Sequence, residues 1–250
     1  MTGSEEKKIK MIIAYDGGAY HGWQRQLNAV TIQQVFEERL EKMLGESTRV
    51  FASGRTDAGV HALGQVVHFS TCSRLDPGTL ERGLNSLLPS DIFVREAAYV
   101  TEDFHARYSA KRKRYEYRIL NAEDPDIFQR SYAWHIRKKL DTEAMRGCLT
   151  RILGEHDFSA FRSSGSGNRN PIRTLYRAEL LAQQGGTIHI VMEANGFLRH
   201  MVRNLVGTMV EVGLGKMSTE EFGAALDSCE RRQAGPRAPA HGLFLVEVTY

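Results

Sequence analysis

The apolar positions of this chain alternate between a period of two and a period near 3.6. Lys8 to Tyr15 (KIKMIIAY) is a β-branched, apolar run that stops at Asp16-Gly17-Gly18, which predicts a strand ending in a turn. Thr31 to Leu44 sets Ile32, Val35, Phe36, Leu40, Met43 and Leu44 at helical spacing, with Thr31 as N-cap and Gly45 just past the end. Strands are predicted at Arg49 to Ser53, Gln65 to Thr71 and Asp91 to Val100, with a helix from Asp76-Pro77 to about Leu88. The order is strand, helix, strand, strand, helix, strand.

The second half repeats that order without repeating the amino acids. Arg114 to Leu120 alternates as a strand that puts Tyr115, Tyr117 and Ile119 on one face. A helix is predicted from Asp141 to Leu153, ended by Gly154. Strands Arg173 to Gln183 and Thr187 to Ala194 flank a Gly185-Gly186 hairpin turn. Helices follow at Leu198 to Leu214 and Ser218 to Ser228, then a closing strand at Leu243 to Thr249. Asn121 to His135, Phe158 to Pro171 and Glu230 to Gly242 read as loops, the Ser/Gly/Asn-rich stretch 163–170 as the most flexible of them. The predicted fold is α+β. It consists of two tandem split βαβ units (ferredoxin/RRM-like) with antiparallel sheets, 1–109 and 110–250, and an active-site cleft between them. Such sheets carry many functions, so the site has to decide among them.

Composition narrows the classes. With 42% hydrophobic and 25% charged residues over 250 positions, the chain is neither disordered nor fibrous. No apolar run approaches the roughly 18 residues of a membrane span. The polar start, Met1 to Lys10, lacks the apolar core of a signal peptide, so a cytoplasmic location is expected. Cys72, Cys148 and Cys229 are odd in number and far apart, which argues against a disulfide framework, and no C-x-x-C pair suggests zinc. The net charge of +3 is unevenly placed. Residues 1–109 hold 12 Lys and Arg against 14 Asp and Glu, whereas 110–250 hold 21 against 16. The basic second half is a modest footprint for a polyanion, or a solvated face.

One string stands out chemically. Gly54-Arg55-Thr56-Asp57-Ala58-Gly59-Val60-His61-Ala62 places a carboxylate between glycines on a loop joining two strands, where backbone N–H groups can present it outward. Taken alone, it also fits an ordinary β-turn with an Asx hydrogen bond.

This string resembles the catalytic motif of the tRNA pseudouridine synthase A family. Other blocks agree in order: Tyr15-Asp16-Gly17, His21-Gly22-Trp23-Gln24-Arg25-Gln26, Thr31-Ile32-Gln33, Phe104-His105-Ala106-Arg107, Lys113-Arg114-Tyr115-Glu116-Tyr117, Phe197 to Asn204, and Ala238-Pro239-Ala240-His241-Gly242-Leu243. The resemblance runs from about Lys10 to Tyr250; Arg237 departs from it, standing where a small polar residue such as threonine is expected. It implies isomerisation of uridine in the tRNA anticodon stem-loop, at positions 38, 39 and 40, without cofactor or metal, by a homodimer with tRNA lying across both subunits.

Carried onto this chain, the resemblance makes Asp57 the essential carboxylate. It would attack the sugar C1′ or the uracil C6, or remove the C2′ proton. Tyr115 would stack on the flipped uracil and is a candidate to remove the C5 proton. Arg203 would pair with Asp57 and keep it ionised, and Arg55 would help hold the extruded nucleotide. The residue types suit these tasks: a neighbouring arginine favours an ionised carboxylate, and stacking offsets the cost of flipping a base. On sequence alone, Tyr115 also fits a cross-strand core aromatic, and Arg199 and Arg203 fit the solvent face of an apolar helix.

Candidate tRNA contacts are Arg25, Lys111, Arg112, Arg114, Arg162, Arg169 and Arg199; Arg173 and Arg177 fall beside the same loop as Arg162 and Arg169. The loop carrying Trp23 suits RNA contact or buried packing. Among rival readings, His61, His68, His105 and His156 lack metal-site spacing, and Gly215-Lys216-Met217 fails as a phosphate loop. A noncatalytic tandem RNA-binding protein is the rival that needs the basic and aromatic residues but not Asp57.

Overall fold

A computed structural model describes residues 6–163 and 170–250. Arg169 and most of the 163–170 stretch lie outside the described residues. The fold is mixed α+β with mostly antiparallel strand pairing and five α-helices among the described residues. By contacts the chain divides into two compact units. The first comprises the described residues up to Lys111 together with Leu245–Tyr250, and the second Arg112–Phe244.

The first unit contains β1 (Lys7–Tyr15), α1 (Ile32–Leu44), β2 (Phe51–Ala52), β3 (His61–Thr71), α2 (Pro77–Leu87) and β4 (Ile92–Val100). β1 is central, antiparallel to both β3 and β4, and β2 pairs with β3. Alternation along β1 sends Ile9, Met11 and Ile13 inward to full burial. They share the core with Val67 and Phe69 of β3, Phe36 and Leu40 of α1, and Leu80 and Leu84 of α2. Each such side chain contributes roughly 1.5–3 kcal/mol by leaving water, as an upper bound. The helix ends follow their caps. Thr31 accepts from Gln34 N–H, Gly45 closes α1 in the left-handed region, and Asp76 accepts from Thr79 N–H ahead of Pro77.

The second unit contains β5 (Arg112–Leu120), β6 (Trp134–His135), α3 (Thr142–Arg151), β7 (Gly154–Asp157), β8 (Ile172–Ala182), β9 (Thr187–Ala194), α4 (Met201–Gly213) and α5 (Thr219–Ser228). Its strand order is β5-β9-β8-β7, with β6 parallel to β5. The closing strand, β10 (Leu243–Thr249), starts in this unit and runs mostly in the first, beside β3. α4 is buried on nearly every side, as an apolar helix without a polar stripe must be. α5 opens on a full capping box between Ser218 and Glu221.

Several sequence expectations need correction here, among them the strand expected from Gln65, which begins at His61. The helix expected from Leu198 begins only at Met201, because His200 takes a left-handed conformation (φ 63°) that a continuous helix excludes. Arg199 therefore precedes α4 rather than sharing a face with Arg203. The helix expected to reach Leu153 stops at Arg151, and Gly154 opens β7 instead of only ending α3. β6 lies at the end of a segment read as a loop, too short for periodicity to reveal.

Candidate active site

The Asp57 loop spans residues 53–60, between β2 and β3. It rests on polar groups buried where core would otherwise be. Gln65, fully buried on β3, accepts from Ser53 Oγ (2.7 Å) and donates to the Gly54 carbonyl (2.9 Å). Thr56 is buried as well, with its Oγ1 2.8 Å from the Tyr15 hydroxyl at the end of β1. Burial pushes the Tyr15 phenol up to about 12, so it keeps its proton throughout the neutral range. Asp57 itself is half-buried, and its carbonyl accepts from Val60 N–H (3.1 Å).

The segment after β1 forms the seat beneath this loop. Trp23 N–H donates to the Thr56 carbonyl (3.1 Å), and Gly59 N–H to the Tyr20 carbonyl (3.2 Å). Gly22 lies so close that a Cβ there would stand 2.5 Å from the Thr56 carbonyl oxygen, and its φ of +85° itself favours glycine. Trp23 is 2% exposed, so it is packing rather than an RNA contact. His61 lies at the loop's far end. Its Nδ1 is 3.1 Å from Gly17 N–H and 2.9 Å from Asp16 Oδ1; it accepts from the first when bare and donates to the second when protonated.

In the second unit, Tyr115 and Tyr117 point to the same buried face of β5, as the alternation predicts. Tyr115 is packed edge-on against Phe197, ring centroids 5.1 Å apart. Tyr117 donates to the Pro239 carbonyl (2.8 Å). Burial raises its hydroxyl pKa, and the Arg203 charge works partly against that.

Arg203 is not on a solvent face: it is only 9% exposed. Its Nε donates to the Ala238 carbonyl (2.8 Å), while Ala238 N–H donates to the Arg203 carbonyl (3.0 Å). One turn on, Thr208 Oγ1 accepts from Gly235 N–H (3.0 Å). Gly207 lets this segment close in, since a Cβ there would meet the Pro236 carbonyl oxygen at 1.8 Å. Arg237 is exposed and donates to His200 Nδ1 (2.9 Å), which requires that nitrogen to be unprotonated.

The two units thus divide the expected site residues. Asp57, the exposed Arg55 and Arg25 belong to the first, as does Lys111 at its last position; Tyr115, Arg203, Arg112, Arg114, Arg162 and Arg199 belong to the second. Arg25 pairs with Glu37 (3.2 Å), and Arg112 with Glu193 (3.2 Å) while lying over the Tyr176 ring. Lys111 and Arg199 are exposed; Arg114 and Arg162 are half-buried. Arg173 is buried and donates to the Asn170 carbonyl (3.0 Å), which removes it from the phosphate-gripping surface, and Arg177 is paired with Glu179 (2.7 Å). Tyr15, Gly22 and Thr56 stand in the motif blocks without a role of their own, and Gln65 lies outside those blocks. The available signal was a phenol and an amide at inward positions of two apolar strands. Among the described residues, no group of three or more His, Cys, Asp or Glu is arranged to hold a metal, and no helix is long and apolar enough to cross a membrane.

A family model described as tRNA pseudouridine synthase matches residues 11–109 and 149–250. Curated relatives named tRNA pseudouridine synthase A are similar over nearly the full length. The one from Thermoanaerobacter pseudethanolicus is 45% identical, covering 98% of this chain and 100% of its own. Those from Acetivibrio thermocellus (44%; 98% and 100%) and Syntrophotalea carbinolica (45%; 97% and 96%) are comparable. Among solved structures, an H/ACA RNP bound to a substrate RNA containing 2′-deoxyuridine covers 95% of this chain and 45% of that one. Its 13% identity and TM-score of 0.38 are too low to bear on function.

Proposed function

The chain belongs to the tRNA pseudouridine synthase family and is an isomerase of uridine in tRNA; we propose that it acts at positions 38, 39 and 40 of the anticodon stem-loop, with Asp57 as its essential carboxylate. In the reaction the C1′–N1 bond breaks, the uracil turns, a C1′–C5 bond forms, the C5 proton leaves and N1 takes up a proton. No atom is gained or lost overall, so no oxidant or reductant is needed. Attack at C1′, attack at C6 and removal of the C2′ proton all require Asp57 as the anion.

The observation that carries the assignment is the rigid seat of the Asp57 loop. The flank before Asp57 is tied to buried polar side chains at Ser53, Gly54 and Thr56, and the backbone on either side is held at Thr56 and Gly59. A fixed carboxylate at a half-buried position suits a reaction in which small displacement costs rate. In the same reading Tyr115 stacks on the flipped uracil, Arg203 keeps Asp57 ionised and Arg55 holds the extruded nucleotide. Arg25, Lys111, Arg112, Arg114, Arg162, Arg169 and Arg199 contact phosphates. We read the units as two tandem split βαβ folds, and the working form as a cytoplasmic homodimer. The order β4-β1-β3 in the first unit, with β2 also paired to β3 and β10 running beside it, supports the split βαβ reading.

The experiment is tritium release from tRNA labelled at uridine C5. Wild-type enzyme is expected to release tritium at a rate proportional to its concentration. Asp57→Asn should bind the same tRNA and lose turnover by at least about a thousandfold. Substantial residual release by that variant would remove Asp57 from the chemistry.

A further inference from the structure

The first unit carries a continuous ladder of rings outside the Asp57 loop, with an arginine at each end. Arg49 lies 5.2 Å over the Phe51 ring, and Phe51 stacks on His68 at 5.2 Å and 21°. His105 follows at 4.6 Å from His68, Tyr108 at 4.4 Å from His105, and Arg107 lies 5.6 Å over Tyr108. Local structure explains the ladder. Phe51 of β2 is in register with His68 of β3. The turn after β4 is pinned by Ala106 N–H donating to His68 Nδ1 (3.1 Å), by His105 N–H donating to Ser109 Oγ (3.0 Å), and by Tyr250 OH donating to the Ala106 carbonyl (2.7 Å).

Two properties separate this ladder from ordinary core. Its outer rings face water: Tyr108 is 76% and Phe51 39% exposed. Its histidines are neutral at working pH. Burial, then His105 and Lys8, pull the His68 pKa down to about 4, and burial lowers that of His105. The ladder's own charge therefore sits in the arginines at its ends. Beside it opens a cavity of about 440 Å³, lined by Arg49, Phe51, His68 and Ser70 along with the carboxylates Glu6 and Glu46. Flat uncharged rings with a guanidinium at each end suit a base with flanking phosphates.

We propose that this arginine-capped ladder is a further RNA-binding surface for an unpaired stretch of tRNA, at which one base stacks on Phe51 and another on Tyr108 as Arg49 and Arg107 swing from those rings onto the phosphates beside each base. The proposal rests on tRNA being the substrate, and it gives the less basic part of the chain its own grip on that polyanion. None of these residues belongs to the Asp57 loop or its seat.

The test is fluorescence anisotropy of end-labelled, unmodified tRNA with the full-length protein, alongside tritium release by the wild type. Tyr108→Ala and Phe51→Ala should each weaken Kd about tenfold. The double variant Arg49→Ala, Arg107→Ala should flatten the slope of log Kd against log salt by about two. Phe93→Ala, which removes an exposed ring outside the ladder, should bind like wild type. Thermal melts that match wild type would keep the Tyr108 result interpretable, because that side chain is mostly in solvent. Wild-type affinity and salt slope in all the ladder variants would overturn the proposal. So would unchanged affinity with an altered oligomeric mass, which would make the ladder a protein interface. If the wild type released no tritium, the isomerase reading would fail by itself, and the binding measurements would still decide the ladder.

Discussion

Asp57 and Arg203 are held in place by different physical means. The Asp57 loop sits on a polar seat in which Tyr15, Thr56, Gln65 and Ser53 bond to one another and to the loop backbone. Arg203 sits on a helix buried on almost every side, and its polar ties run to a single segment, residues 235–238, through its own Nε and carbonyl and through Thr208. Each arrangement depends on one glycine that lets two backbones touch, Gly22 in the first and Gly207 in the second. The seat should govern where a reactive group points, whereas the packed helix should govern whether its unit holds together at all.

Gly207→Ala is the severest way to break that contrast. Its Cβ would overlap the Pro236 carbonyl, so the segment must move and both Arg203–Ala238 bonds go with it. A loss of about 3 kcal/mol in urea melts is expected, together with loss of turnover. Gly22→Ala should cost about 2 kcal/mol in stability, because the clash adds to an unfavourable φ. Its main effect should fall on rate, with saturated turnover down about a hundredfold and tRNA affinity kept. If Gly22→Ala lost its fold before its rate, the distinction between seat and helix would be wrong.

Acid should act on the first unit through His68. Its folded pKa of about 4 lies below the ordinary 6.5, so the unfolded chain binds more protons between those values. The stability it contributes is complete above about pH 6.5 and is lost as the pH falls towards 4. Melts of His68→Gln, whose amide oxygen can still accept from Ala106 N–H, should show a shallower decline over that interval. Tyr15→Phe should be the mildest change. It removes one hydroxyl from the seat, at about 1 kcal/mol of stability, and should slow saturated turnover about fivefold. Unchanged turnover in that variant would show that Thr56 and Gln65 hold the loop without it.

The ordering of elements was legible because strong local signals marked it. Thr31, Asp76, Asp141 and Ser218 all cap the helices they precede, and β1 and β5 alternate as their residues do. The strands β6 and β7 escaped because two and four residues carry no readable period. The start of α4 was misplaced because Leu198, Arg199 and His200 look helical, and only the backbone at His200 shows the break. In the site, the motif around Asp57 was readable as chemistry, but its seat was not. Tyr15 and Gln65 lie 50 positions apart and meet only through β1–β3 pairing. Burial of Arg203 and Arg173 was likewise invisible, since an arginine's surroundings are set by packing rather than by its neighbours in sequence.

The placement of Leu245–Tyr250 with the first unit bears on how the molecule is made. On the ribosome, the chain up to Lys111 emerges early, yet the strand beside β3 is not synthesised until after residues 112–244. Until then β3 offers an open edge, held ready by Gly64, whose missing side chain leaves room for the Val246 carbonyl. A chain that stops short of Leu245 would leave that edge of β3 open to pairing with other strands, so the first unit is complete only once the second has been synthesised.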